Sequence, residues 1–109
     1  MKSFNYHVPK DVKDASKLAS SSSAFLAGGM TTIPSMKLGL ATYKDVIDIK
    51  NIKKLSGIKV SGKSVTIGAT TKHAEVAASK DVKKTIPALA KLAGNIGDAQ
   101  VRNRGTIGG

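Results

Sequence analysis

The chain has 109 residues and a formal net charge of +11, from 18 basic and 7 acidic side chains. That length predicts one domain, 1–109, whose core removes roughly two thirds of the unfolded chain's surface from water. With no cysteine the chain forms no disulfide and holds no cysteine-ligated zinc or iron–sulfur cluster of its own.

The charge raises nucleic acid as a partner. Against it, sixteen of the basic residues are lysines spread along the chain, and only two Phe and two Tyr are present to stack on bases. A solvated lysine surface, or complementarity to an acidic partner or an anionic cofactor, explains the charge more simply. No apolar run is long enough to span a bilayer. The opening Met1-Lys2-Ser3-Phe4-Asn5-Tyr6-His7 lacks the apolar core of a secretion signal. The expectation is a cytoplasmic protein with no membrane attachment.

Taken in order, residues 4–8 alternate apolar and polar side chains, as a half-buried strand does, and Pro9 ends them. Asp11 is the N-cap of a helix that places Val12, Ala15, Leu18 and Ala19 on one face. Four serines, 20–23, connect it to a short buried strand over residues 24–27. Strand, helix, strand in this order predicts a parallel pair with a right-handed crossover. Residues 32–38 form a short helix with Pro34 in its first turn and Gly39 as its stop. Residues 46–49 are the next strand, and Ile52 and Leu55 pack from a turn.

Residues 58–60 and 65–67 alternate around Ser61-Gly62-Lys63-Ser64, a hairpin signal that puts Ile58, Val60, Val65 and Ile67 on the buried face. Thr71 is a candidate cap for a helix over residues 72–78, and Asp81 for a short turn. Pro87 opens a last helix that turns Leu89 and Leu92 inward and stops at Gly94.

Two glycine pairs stand out. The first lies in Ala24-Phe25-Leu26-Ala27-Gly28-Gly29-Met30-Thr31-Thr32-Ile33-Pro34, the second in Val101-Arg102-Asn103-Arg104-Gly105-Thr106-Ile107-Gly108-Gly109. Glycine admits positive φ and lets a ligand approach the main chain. Successive N–H groups then converge in a nest that holds an anion, and a helix starting just after the loop adds its own N–H groups. A strand leading into Gly28-Gly29 puts that loop at a carboxyl edge, where open α/β sheets bind ligands. The plain alternative for one glycine pair is a tight turn; for the second it is a frayed terminal tail.

AFLAGGMTTIP and QVRNRGTIGG resemble the FAD-binding, medium subunit of the molybdenum hydroxylases, the carbon monoxide and xanthine dehydrogenase type. The resemblance extends through Phe4-Asn5-Tyr6, Leu55-Ser56-Gly57, Ile67-Gly68-Ala69-Thr70-Thr71 and Ile86-Pro87-Ala88-Leu89. It implies an α+β fold, the N-terminal subdomain of the PCMH/VAO-type FAD-binding fold. That fold has a small mixed sheet with a βαβ start, helices packed on it, and the two glycine loops meeting at one edge. It implies FAD as cofactor, with Ala27, Gly28, Gly29, Met30, Thr31 and Thr32 on the diphosphate. Gly105, Thr106, Ile107, Gly108 and Gly109 would meet the same diphosphate from the other side, Thr106 with its hydroxyl. Family members continue beyond the position of Gly109, so the chain reads as an N-terminal part cut at the second glycine loop.

Ile96 precedes that loop in a segment the resemblance puts near the flavin ring; ordinary packing is its alternative. Gln100, Arg102 and Asn103 belong to the same stretch, and Arg102 either serves the anion or, better, fixes the loop. His7 and His73 fit no metal-ligand spacing, and Asp48 is placed to bond backbone rather than to catalyse. No nucleophile–base pair, carboxylate dyad or metal cluster is visible, so no catalytic or metal-ligating residue is assigned. In such a subunit the flavin carries the chemistry and the protein binds and orients it.

The resemblance implies electrons arriving from a molybdenum-cofactor subunit through an iron–sulfur subunit and leaving FAD for an acceptor. The alternatives are a small basic module for nucleic acid or an acidic protein, and a truncated relic that folds without binding.

Overall fold

A computed structural model describes residues 1–109. The length argument counts one domain; the fold groups its contacts into two compact units, Met1–Lys54 and Leu55–Gly109.

The first unit is built on three short strands and two helices. They are β1 (Asn5–His7), α1 (Val12–Leu18), β2 (Ser23–Leu26), α2 (Thr32–Lys37) and β3 (Asp45–Asp48). The strands form one parallel sheet in the order β1-β3-β2. The crossover from β1 to β2 therefore skips one position, and the predicted adjacent pair is separated by β3. Sequence order alone cannot show this, because β3 arrives later and inserts between strands already laid down.

As the central strand, β3 is covered on both faces. Val46 and Ile47 point to opposite sides of the sheet, yet neither is more than 1% exposed. Ala15 of α1, Met36 of α2 and Ile52 complete the buried apolar set of this unit. The edge strand β2 is less buried than its sequence suggests: Phe25 is half exposed. Asp11 caps α1 as predicted, its carboxylate accepting from the Asp14 N–H at 2.7 Å. Ala19 lies beyond the helix in extended backbone. Gly39 ends α2 at φ +74°.

The second unit begins, after a 3₁₀ turn at Lys53–Leu55, with an antiparallel hairpin: β4 (Ile58–Ser61) and β5 (Ser64–Ile67). The two-residue loop has Gly62 at φ +56° in its first central position, the place a right-twisted hairpin requires glycine. Ile58 faces Ile67 and Val60 faces Val65, so the alternation sets the pairing. Val60, beside the turn, is nevertheless exposed.

Four helices follow: α3 (His73–Ala78), α4 (Lys80–Thr85), α5 (Pro87–Gly94) and α6 (Ala99–Arg102). Val76, Val82, Ala90 and Ala93 form the buried centre, with Ile58, Val65, Ile67, Leu89 and Ile107 packed around it. The α+β class stands, with the parallel and antiparallel pairings in two separate small sheets.

Several caps and faces differ from expectation. Thr71 does not cap α3; its hydroxyl accepts from the Gly57 N–H at 3.0 Å and donates to the Gly57 carbonyl at 3.2 Å. Ser79, not Asp81, caps α4, accepting from the Val82 N–H. On α5 Ala90 and Ala93 turn inward and Leu92 is 63% exposed. Small residues are needed there because α3 runs close by: a Cβ on Gly94 would sit 3.7 Å from that of Ala77.

Candidate functional site

The first glycine loop leaves the carboxyl end of β2. Leu26 is registered with Asp48, and its carbonyl accepts from the Ile49 N–H at 2.9 Å. From there the chain turns at Gly29, φ +75°, before α2 begins at Thr32. An L side chain at that φ is strained, and its Cβ would lie 2.6 Å from Ile33 Cδ1.

The donors of this loop are unspent. None of the N–H groups of Ala27, Gly28, Gly29, Met30, Thr31 and Thr32 donates to a backbone carbonyl or a side chain. Residues 27–32 are all half-buried or exposed, so these groups face water rather than a dry interior. Thr31 and Thr32 lie at the start of α2, where the first N–H groups of a helix have no intrahelical partner, and the glycine turn extends that run of free donors to six. Thr31 contributes no side-chain cap to α2, so its hydroxyl is uncommitted as well. An anionic diphosphate needs several N–H donors within reach of a glycine turn, and the residues present fit that requirement.

The second loop has the opposite character. It is tied down and not frayed. Gly105 accepts from the His73 N–H at 3.0 Å, Ile107 N–H donates to Thr71 at 2.9 Å, and Gly108 N–H donates to Ala69 at 2.8 Å. Gly109 N–H closes back on the Thr106 carbonyl at 3.1 Å, and the Thr106 hydroxyl donates to the Gly109 carbonyl at 3.0 Å. Thr106 is 8% exposed, so the hydroxyl that the resemblance assigns to a ligand is committed inside the loop. Across residues 104–109 the Thr106 N–H alone has no acceptor.

Close packing explains the glycines here. A Cβ on Gly108 would lie 2.7 Å from Ala69 Cβ and 2.8 Å from its carbonyl oxygen. One on Gly105 would meet His73 at 3.0 Å and the Val101 carbonyl at 3.1 Å. Only Gly109, at φ +92°, has open space about it.

Arg102 is structural, though it fixes the Ile96-Gly97 segment rather than the second glycine loop. Its guanidinium donates to the Gly97 carbonyl at 2.8 Å and the Ile96 carbonyl at 3.3 Å. The half-buried Ile96 is thereby fixed through its backbone. The helix α6 that carries Arg102 was missed from sequence. Its signal was Asp98, which caps it by accepting from the Val101 N–H at 2.9 Å. Four residues are too few for a periodic pattern.

Two side-chain clusters in the first unit link β1 to β3. The Tyr6 hydroxyl donates to Asp48, a carboxylate only 3% exposed, which also accepts from the Lys50 N–H at 3.0 Å and pairs with Lys50 Nζ at 3.4 Å. The hydrogen bond to Asp48 raises the Tyr6 phenol above its ordinary range. The His7 ring bonds Asp45 at 2.9 Å and, with the Asn5 amide, holds that carboxyl below its ordinary range. A cavity of about 360 Å³ in the same unit is lined by Lys10, Asp11, Asn51, Ile52, Lys53 and Lys54, none of them a residue assigned to the cofactor. No helix is long and apolar enough to cross a membrane.

Comparison with known proteins shows the family. Residues 2–109 match the family described as the FAD binding domain in molybdopterin dehydrogenase. The carbon monoxide dehydrogenase medium chain of Hydrogenophaga pseudoflava is 45% identical over 97% of this chain and 38% of its own length. The 6-hydroxypseudooxynicotine dehydrogenase subunit alpha of Paenarthrobacter nicotinovorans is 34% identical over 98% of this chain and 37% of its own length. Among solved structures, reconstituted CO dehydrogenase from Oligotropha carboxidovorans superposes with a TM-score of 0.95 at 38% identity, covering 99% of this chain and 39% of that one. The chain thus spans somewhat over a third of the relatives it matches. It belongs to the FAD binding domain family of the molybdopterin dehydrogenases, and its cofactor is FAD.

Proposed function

We propose that residues 27–32 are the diphosphate cradle of a flavin subunit that relays electrons within a molybdenum hydroxylase. The observation that carries this reading is the run of six unspent N–H groups around Gly29. Hydrogen bonds to a charged acceptor contribute about 1.5–3 kcal/mol each. Ala27, Gly28, Gly29, Met30, Thr31 and Thr32 supply these donors through the backbone, so Met30 acts by its N–H rather than its side chain. In the second unit, Gly105, Thr106, Ile107, Gly108 and Gly109 are the further cofactor residues. Their part is backbone, with the Thr106 N–H as the donor that the fold leaves free. Ile96 offers an apolar contact. Bound flavin supplies the electron-transfer chemistry, and these residues bind and orient it.

The partners in this reading are an iron–sulfur subunit and a molybdenum-cofactor subunit, and the setting is cytoplasmic. Support comes from the relatives, which are medium chains or subunits of dehydrogenases, and from a solved Cu,Mo-CO dehydrogenase that is 38% identical. The relatives act on different compounds, so the substrate is set elsewhere in the complex.

The test is FAD binding by the protein produced from its own gene, followed by flavin fluorescence and protein mass. Stoichiometric FAD is expected in the wild type, with at least tenfold weaker binding in Gly29→Val. Unchanged affinity in a folded Gly29→Val protein would remove the cradle. Co-purification with iron–sulfur and molybdenum subunits tests the relay.

A further inference from the structure

The cradle contains no side-chain anchor of its own, so something else must hold its base in place. The last ordered link before it is Leu26, whose carbonyl takes the Ile49 N–H at 2.9 Å. Ile49 follows Asp48, the end of the central strand, and Asp48 is registered with Leu26. The Asp48 carboxylate is committed on both oxygens. Oδ2 receives the Tyr6 hydroxyl from β1, and Oδ1 receives the Lys50 N–H at 3.0 Å, closing a turn immediately after the strand. Lys50 Nζ, at 3.4 Å, balances the charge.

A carboxylate that is 3% exposed is costly to bury unless it is fully bonded. Here every bond it makes tightens one point, the carboxyl end of β3. From that point runs the backbone bond to the Leu26 carbonyl, the last pairing of β2 before residues 27–32.

Resting on the cradle assigned above, we propose that Asp48, clasped by Tyr6 and the Lys50 amide, is the positioning residue of the flavin loop. It touches no cofactor. It acts through Ile49 and Leu26 by fixing the strand end from which the free donors project. A loop whose origin wanders cannot present six N–H groups to one diphosphate, because the geometry of hydrogen bonds to a charged acceptor is narrow.

The experiment compares Tyr6→Phe, Asp48→Asn and Gly29→Val in the protein produced from its own gene. FAD affinity is titrated well below each variant's melting temperature, and amide exchange at Ile49 is followed without FAD. Tyr6 is half exposed, so Tyr6→Phe removes one hydroxyl with no packing change and folds. It is expected to weaken FAD about tenfold and to speed exchange at Ile49, beyond the modest fall in melting temperature from the bond the buried carboxylate loses. Asp48→Asn keeps an acceptor oxygen and is expected to weaken FAD less, about threefold.

A purely structural role would lower the melting temperature and leave affinity below it intact. That result in Tyr6→Phe, with Gly29→Val still weakening FAD, overturns the positioning role and leaves the cradle standing. If Gly29→Val also binds FAD normally, the cradle itself falls and the positioning role falls with it.

Discussion

The two glycine loops look alike in sequence and behave in opposite ways in the fold. Residues 27–32 need glycine for a positive φ, and they leave six N–H groups free. In residues 105–109 glycine permits close approach, Gly108 to Ala69 and Gly105 to His73 and Val101, and every N–H but that of Thr106 is spent within the chain. A Gly-Gly pair therefore reports that the backbone must come close to something. Whether that is a ligand or the chain itself is decided by where the hydrogen bonds go.

Several substitutions would break or sharpen this contrast, and the largest effect is expected in the second loop. Gly108→Ala forces a Cβ to within 2.8 Å of the Ala69 carbonyl oxygen and 3.0 Å of its Cα, backbone that cannot swing away. It should cost about 2–3 kcal/mol in denaturant unfolding, with a matching loss of the Gly108–Ala69 bond. If stability holds, close packing is not what demands that glycine.

Next is Thr71→Val, which strands the Gly57 N–H that the hydroxyl now satisfies. A buried donor left without a partner costs about 1–3 kcal/mol, read from the same unfolding curve. Gly29→Ala is expected to cost about 1–2 kcal/mol for the left-handed φ, since Ile33 Cδ1 can rotate aside. Its larger consequence is on FAD affinity. A variant that loses stability but binds FAD normally would make the first loop resemble the second.

The pH dependence is the smallest effect and bears on the first unit alone. Asp45 is held below its ordinary range by His7 and then Asn5. Its contribution is present above the ordinary carboxylate range and is lost as pH falls through the depressed value. Tyr6 is raised by Asp48, so its contribution is present below the ordinary tyrosine range and lost as pH rises through the raised value. Melting temperature against pH should therefore sag at both extremes. Asp45→Asn should flatten the acid limb and Tyr6→Phe the alkaline one. Because these groups keep contact with solvent, both effects are expected to be slight and weakened by salt.

Much of the chain was legible where the signal is local. Asp11 marks the start of α1, Gly39 the end of α2, and Gly62 the hairpin. The reach of Thr71 was not legible, because its partner Gly57 lies fourteen residues away and the same residue reads equally well as a cap. Nor was the inward face of α5, where the nearby α3 selects Ala90 and Ala93 over Leu92. The insertion of β3 between β1 and β2 is a long-range choice that no window of sequence contains. For the candidate site, sequence located both loops but could not distinguish free donors from spent ones, a property of the hydrogen-bond partners and not of the residues.

Amide hydrogen exchange with and without FAD tests that distinction most directly. The account predicts rapid exchange over residues 27–32 in the FAD-free protein and protection there when FAD binds. Ile107 and Gly108 should already be protected before it does. Protection of residues 27–32 without FAD, or no change there when FAD is bound, would contradict it.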